Sequence, residues 1–444
     1  MRNIKKILLI FTLIEIFFFL SNCQKPKFDN PCDLNSDSHR NTNIVKYITS
    51  DSSSFCGIIP SFGSVATPIF TPSAGNKTSL SDINILTSTF GATIYYTTDG
   101  TNPTIGSNRY SSALENIWSL AGKTIKAFAV KNGMTDSAIL SGVFSYPPLK
   151  TGQQTSYAVG DDGESQTGVS RSYTDNGDGT VKDNATGLIW QKCSMGLNND
   201  AGCTGTASNP NWADAGTYCS GLSLGSKTWR LPSRLELETL SHFSGPIIAI
   251  AIDSSYFPNT TTNPYWSSSN YVPSSTEAWY INFSAGEISK DSKAVFYYVR
   301  CVSGTVKEYG NNLTENGDGT VKDNVTGLIW QKCSNGQSGS NCSGAASSDL
   351  WANALSACSG LSLAGKSWRL PNINELKSII DINKSSGETI DTNIFPNTAS
   401  GSYWSSTTLV SNTNFSWEVN FSSGFSVSDD TNLQYSYIRC VSGP

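Results

Sequence analysis

The sequence predicts a multidomain chain, a small β-sandwich followed by two α+β domains of one design. Three observations carry that expectation. Between about residue 65 and residue 147, short alternating segments run into Gly-rich turns. Farther on, NGDGTVKDNATGLIWQKCS at 176–194 returns as NGDGTVKDNVTGLIWQKCS at 316–334. WRLPSRLELETL at 229–240 returns in the same way as WRLPNINELKSI at 368–379. The period is too long for a solenoid, and each copy is long enough to fold as its own domain.

The chain starts with Arg2, Lys5 and Lys6, and then runs apolar from Ile7 to Leu20 except for Thr12 and Glu15. That run is short for a permanent membrane span and reads as a secretory signal over residues 1–22. It ends in Leu20-Ser21-Asn22-Cys23, which resembles the lipobox of bacterial lipoproteins in a looser form. The resemblance implies a lipid on Cys23, an exported lipoprotein of the outer membrane exposed at the cell surface, and a membrane partner reached through that lipid alone. Removing Cys23 from eleven cysteines leaves ten, an even number: Cys32, Cys56, Cys193, Cys203, Cys219, Cys301, Cys333, Cys342, Cys358 and Cys440. In an oxidising compartment these read as disulfide partners. With no CxxC pair and no His-rich tract, the sequence gives no support for a zinc or iron–sulfur cofactor.

The net charge is −5, and the signal segment carries three Lys/Arg against one Glu, which leaves the mature chain near −7. That balance argues against nucleic acid as a partner. Residues 23–64 lack periodicity and read as a tether, with a small loop if Cys32 and Cys56 pair. In residues 65–147, Ile94-Tyr95-Tyr96-Thr97-Thr98 runs into Asp99-Gly100, and Ile125 to Val130 runs into Asn132-Gly133. TPSAGNK, IYYTTDGTNPT and KTIKAFAVKNGMTDS together resemble the chitobiase/β-hexosaminidase C-terminal type of immunoglobulin-like domain, whose members are mostly non-catalytic spacers.

The repeated domains are expected over 150–304 and 305–444. In each, Thr-Val-Lys-Asp after an Asn-Gly-Asp-Gly turn reads as a hairpin feeding an apolar strand at Trp190 or Trp330. An EF-hand reading of that turn places Thr174 or Thr314 where the first Asp belongs and lacks the closing Glu. A helix over Trp212–Leu222 shows Trp212, Ala215, Cys219 and Leu222 on one face, and Trp351, Ala354, Cys358 and Leu361 repeat it. After WRLP, Ser233 with Glu236 and Asn372 with Glu375 form capping boxes. The carboxylate of Glu236 is expected to cap its helix or to pair with Arg230; Arg369 and Glu375 repeat the motif. Three antiparallel strands follow, around Trp266, Trp279 and Val299 in the first copy. There Trp279, Ile281 and Phe283 share one face, with Tyr280 and Asn282 on the other. Tyr280, Trp266 and Trp404 are candidate ligand-facing aromatics, readable as core or as a sugar platform.

GDGTVKDNxTGLIWQ, a helix ending in Cys, WRLPxxxEL, YWSS, W…N-F-x-x-G and RCV resemble the C-terminal domain of the Legionella–Chlamydia collagen-like adhesins, abbreviated Lcl. The resemblance covers both copies. It implies two α+β domains like those of the C-type-lectin and formylglycine-generating-enzyme superfamily. It also implies pairings Cys219–Cys301 and Cys358–Cys440, with Cys193–Cys203 and Cys333–Cys342 beside them. By themselves four cysteines allow three connectivities in each copy. The EPN-like and WND-like calcium triplets of C-type lectins are missing, with YWSSS and YWSST in their place.

The function implied is non-catalytic binding or adhesion toward a glycan or a host or matrix protein, from the cell surface or facing the periplasm. Oligomers occur among such adhesins. Sulfated glycosaminoglycans are family ligands, yet only Lys227, Arg230 and Arg234 cluster as a local anion site. A structural envelope lipoprotein and a formylglycine-generating-like enzyme are the alternatives. Against an enzyme, the only histidines are His39 and His242, and the second copy has none.

Overall fold

A computed structural model of the chain describes residues 41, 45, 63–77, 82–114, 120–243, 250–304 and 312–443. The signal, Cys23 and the Cys32–Cys56 pair lie outside the described residues. The chain is mostly β-sheet, multidomain, with few helices. One compact unit gathers the described residues of 63–66, 89–93 and 129–138, tied by bonds such as Val65 N–H to Thr135 O at 2.8 Å. The other holds the described residues of 67–88, 94–128 and 139–443.

Ahead of the repeats, Ile69–Thr71 pairs antiparallel with Asn84–Leu86. A second sheet runs Gly75–Asn76, Leu140–Ser145, Thr124–Val130, Thr93–Thr97, Asn108–Arg109. This arrangement is compatible with the expected β-sandwich. Phe70 and Phe144 meet edge to face at 5.3 Å in its core. The Asp99-Gly100 turn forms as the sequence leads one to expect. Asp99 accepts from the Thr101 N–H and hydroxyl, and Gly100 takes φ +80°, a conformation that suits glycine.

Each repeat is a head with two sheets and two short helices. In the first head, Tyr173–Asp175, Thr180–Asp183 and Ile189–Gln191 form an antiparallel meander, closed by Val302–Ser303 against Trp190 and Ile189. Leu313–Glu315, Thr320–Asp323, Ile329–Gln331 and Val441–Ser442 repeat it. Here the expected three-strand order is corrected. The segment ending at Val302 joins this sheet, and the third strand of the other sheet is Glu287–Ser292, beside Glu277–Asn282 and Pro264–Asn270. Glu287–Ser292 has the sequence EISKDS, and its single buried side chain is Ile288. Its polar alternation hid it.

The helix Trp212–Gly221 starts where Asn211 accepts from the Asp214 N–H, and it buries Ala215 and Cys219. Its counterpart Trp351–Ser359 buries Trp351, Ala354, Leu355 and Cys358. Each helix is stapled to the last strand by Cys219–Cys301 or Cys358–Cys440, across a sequence separation of 82. Short disulfides Cys193–Cys203 and Cys333–Cys342 close the loops after the meander. The eight late cysteines are therefore all paired, in the connectivity the resemblance implies.

The two heads share one eight-stranded sheet. Ile288 pairs with Ser426, its own counterpart in the second head, so a local two-fold axis passes through that bridge. Aromatic residues cross the seam in both directions. Phe243 packs edge to face on Trp417 at 5.3 Å, and Phe425 packs on Trp279 at 5.6 Å. Glu238 meets its counterpart Lys377 at 3.7 Å while also holding Arg234 at 2.6 Å. Burial pulls the Lys377 ammonium down to about 8 even with that carboxylate beside it.

A strap of residues 147–169 lies on the second head. Thr151 and Thr407 both donate to Asp162 Oδ2, at 2.5 and 2.8 Å. Gly152 takes φ +98°, and a Cβ there would stand 2.8 Å from His242 Nε2, so the strap needs glycine at this point. Burial pushes Asp162 up to about 6 despite those hydroxyls.

Two outcomes test this account. The chain-entropy model assigns about 4–5 kcal/mol to closing a loop of some 80 residues and about 2–3 to one of ten. Replacing Cys358 and Cys440 together by Ala should therefore lower stability in denaturant melts about 2 kcal/mol more than replacing Cys333 and Cys342. For Asp162 the folded value lies above the ordinary 3.8, so protonation favours the docked strap. Its stabilisation is full below about pH 4 and is lost as pH rises through about 6. Asp162→Asn should flatten that fall in thermal melts, by on the order of 2–3 kcal/mol.

Candidate binding surface

The repeated WRLP element is a corner. Backbone bonds join Arg230 to Val302 in both directions, at 3.0 and 2.9 Å, so the corner is tied to the last strand. Its guanidinium forks onto Glu236, Nη1 to Oε2 at 2.7 Å and Nη2 to Oε1 at 2.6 Å. The same carboxylate accepts from the Ser233 N–H at 2.8 Å, completing the capping box. Cap and ion pair, offered by the sequence as alternatives, are both present. In the second head Arg369 forks onto Glu375 at 2.6 Å twice, and the Asn372 N–H donates at 2.8 Å. Both carboxylates are fully buried and bonded within the corner, and Glu375 also accepts from the Thr167 hydroxyl of the strap at 3.1 Å. Such an arrangement orients a strand-to-helix turn; it does not leave a base for proton transfer.

A second buried cation was not singled out by the sequence reading. Arg300 and Arg439, the Arg of each RCV, have no solvent exposure. Arg300 donates to the Gln191 carbonyl at 2.8 Å, to the Lys192 carbonyl, and to the Ser194 and Thr260 hydroxyls at 3.1 and 2.7 Å. Arg439 repeats this with Gln331, Lys332, Ser334 and Thr398. The only available signal was the recurrence of RCV itself.

Of the two readings open for Trp266 and Trp404, the core reading holds and the ligand-facing one is corrected. Trp266 and Trp404 are fully buried and face no ligand. Tyr297 covers Trp266 at 4.7 Å, and the Trp404 indole donates to the Asp349 carbonyl at 2.9 Å. Tyr280 is half-buried, its ring against Tyr297 at 4.9 Å. The cluster of Lys227, Arg230 and Arg234 does not form an exposed anion site either. Arg230 is held by Glu236, while Arg234 is buried, bound to Glu238 and stacked on Trp279 at 4.3 Å. At the Asn-Gly-Asp-Gly turns, Asp178 and Asp318 accept from the N–H and hydroxyl of Thr180 and Thr320. No group of three His, Cys, Asp or Glu that could hold a metal ion occurs among the described residues.

The heads share a residue position with an exposed aromatic and differ in the groups near it in the chain. Phe296 and Tyr435 each stand four residues before the buried Arg, and both are exposed, at 61% and 59%. Next to Phe296 in the chain, Tyr297 meets Tyr280 edge to face, and its hydroxyl donates to Asp291 at 2.6 Å. At the same positions the second head has Glu418 and Ser436, whose hydroxyl donates to the carboxylate at 2.7 Å. One head thus has a pair of rings where the other has a hydroxyl and a buried acid whose pKa burial raises.

The Lcl C-terminal domain family matches residues 179–303 and 319–442, more than half of the chain. The chitobiase/beta-hexosaminidase C-terminal domain family matches residues 72–141. No curated protein matches the chain.

Removing Arg369 would strand a buried carboxylate. Arg369→Ala should cost about 3 kcal/mol in denaturant melts, as for other broken buried pairs. Arg230→Ala should cost less, since that side chain is 27% exposed against 18% for Arg369. Equal costs would mean that burial does not set the strength of this corner.

Proposed function

This chain belongs to the Lcl C-terminal domain family over more than half of its length, and on that footing we propose that it is a non-catalytic adhesion module. In this reading a lipid on Cys23 holds the chain at the cell surface. The chitobiase-type module spaces the heads from the membrane, and the heads bind a glycan or a protein. One observation carries the reading. Between the copies the corner, the buried Arg and both disulfides are kept, whereas the Tyr280–Tyr297 pair has become Glu418–Ser436. A duplicated reaction centre would keep its reacting groups; a duplicated frame that presents two faces keeps its walls and changes its surface. Two heads on one rigid sheet also raise apparent affinity for a ligand that offers two sites.

The test is binding of the mature chain to a panel of glycans and matrix proteins at low and high salt. Binding that survives high salt is expected, because in the Lys227, Arg230 and Arg234 cluster two of the three cations are held by Glu236 and Glu238. Phe296→Ala and Tyr435→Ala should each weaken it, and together reduce it further. A chain that binds nothing on such a panel, or whose Cys23 is unmodified by mass spectrometry after export, overturns the reading.

A further inference from the structure

The strap shows what one face of a head recognises. Gln153 Oε1 accepts from the Thr408 N–H at 2.8 Å, and the Asn374 amide donates to the Leu149 carbonyl at 2.9 Å. Thr167 sits on the corner, donating to Glu375 Oε1 at 3.1 Å. Ala158 packs against the core that contains Trp351. Under this cover Trp351, Ser406 and Thr408 are 5%, 1% and 0% exposed.

The first head carries the same groove without the strap, and there the Lys293 ammonium lies over the Trp212 ring at 4.6 Å. Trp212, Ser268 and Asn270 occupy the corresponding positions; Trp212 is half-buried, and Ser268 and Asn270 are exposed. The two indoles hold one pose, donating to the Ser267 carbonyl at 2.8 Å and the Ser405 carbonyl at 2.7 Å. Ser269 accepts from the Arg234 N–H at 3.0 Å, as Thr407 accepts from the Ile373 N–H at 3.0 Å. The Thr407 hydroxyl then donates to Asp162, and the Ser269 hydroxyl has its proton left for a ligand. No equivalent strap is among the described residues. The segment between the heads, 305–311, has seven residues, too few to repeat a strap that uses 147–169.

We infer that this strap-free groove of the first head docks an extended peptide segment of a partner protein, with a carboxamide to meet the strand at Asn270 and a carboxylate to accept from Ser269. The inference rests on the adhesive reading and narrows its ligand to protein, because the occupant of the matching groove is a peptide. A second copy of this chain gains nothing there: a strap that crosses to a neighbour uncovers its own second head.

The probe is a fluorescent synthetic peptide of residues 149–168, titrated into the full chain. Saturable one-to-one binding is expected. It should weaken on the order of tenfold when the peptide's Gln153 and Asp162 are both Ala, the loss of one or two hydrogen bonds. Asn270→Arg should abolish it; the position is exposed, so the head stays folded by circular dichroism. No saturable binding overturns the inference, and so does binding that Asn270→Arg leaves unchanged, since the peptide would then have invaded the second head. A glycan that binds the chain and is blocked by Asn270→Arg, with no peptide bound, overturns this inference and keeps the adhesive reading. Peptide binding in a chain that fails every panel ligand overturns the adhesive reading alone.

Discussion

A buried carboxylate at each corner is the constraint on which the heads depend. Glu375 is reached by two guanidinium nitrogens and by the amide of the residue that starts its own helix. The WRLP strand and the helix N-terminus satisfy that charge directly, with Thr167 of the strap beside them, and the Arg369–Val441 backbone pair ties the WRLP strand to the last strand. Taking an unpaired carboxylate into such a site is costly, so the corner forms as a whole or not at all. The long disulfide then joins that last strand to the other helix, and the exposed loop before RCV hangs between two fixed points.

Duplication built a second constraint on top of the first. Across a two-fold axis identical subunits would bring Glu238 against Glu238, or Lys377 against Lys377. Here the counterparts carry opposite charge and sit 3.7 Å apart, beside aromatic rings exchanged between the heads. The seam is thus matched to unlike halves. It prefers the neighbour in the same chain over a like head from another, through repulsion in the like pairings as much as attraction in the unlike one.

Much of the local frame was legible in the sequence because its causes are local. The hairpins, the helix face ending in Cys219, and the Ser233–Glu236 and Asn372–Glu375 capping boxes each need only residues a few positions apart. The disulfide pairing came from family resemblance. What escaped has causes distant in the chain. Trp266 reads as core or platform until Tyr297 closes over it, and nothing near Asp162 in the chain marks it, since its partner Thr407 lies 245 residues away. Glu287–Ser292 is polar along most of its length, and it is a strand because Glu277–Asn282 pairs with every residue of it.

These two constraints bear on how the heads can work. A shared sheet removes the freedom that a flexible linker would give, so the two exposed faces stand at a fixed separation and angle. The benefit of two sites then depends on ligand geometry: a partner with matching spacing engages both at little further entropic cost, and one without it engages a single head. The heads also differ in chemistry, with Tyr280 and Tyr297 in one where the other has Glu418 and Ser436, so on the adhesive reading a partner that engages both needs two unlike features in register. On the adhesive reading, rigidity and divergence together turn two individually small contacts into a selective pair.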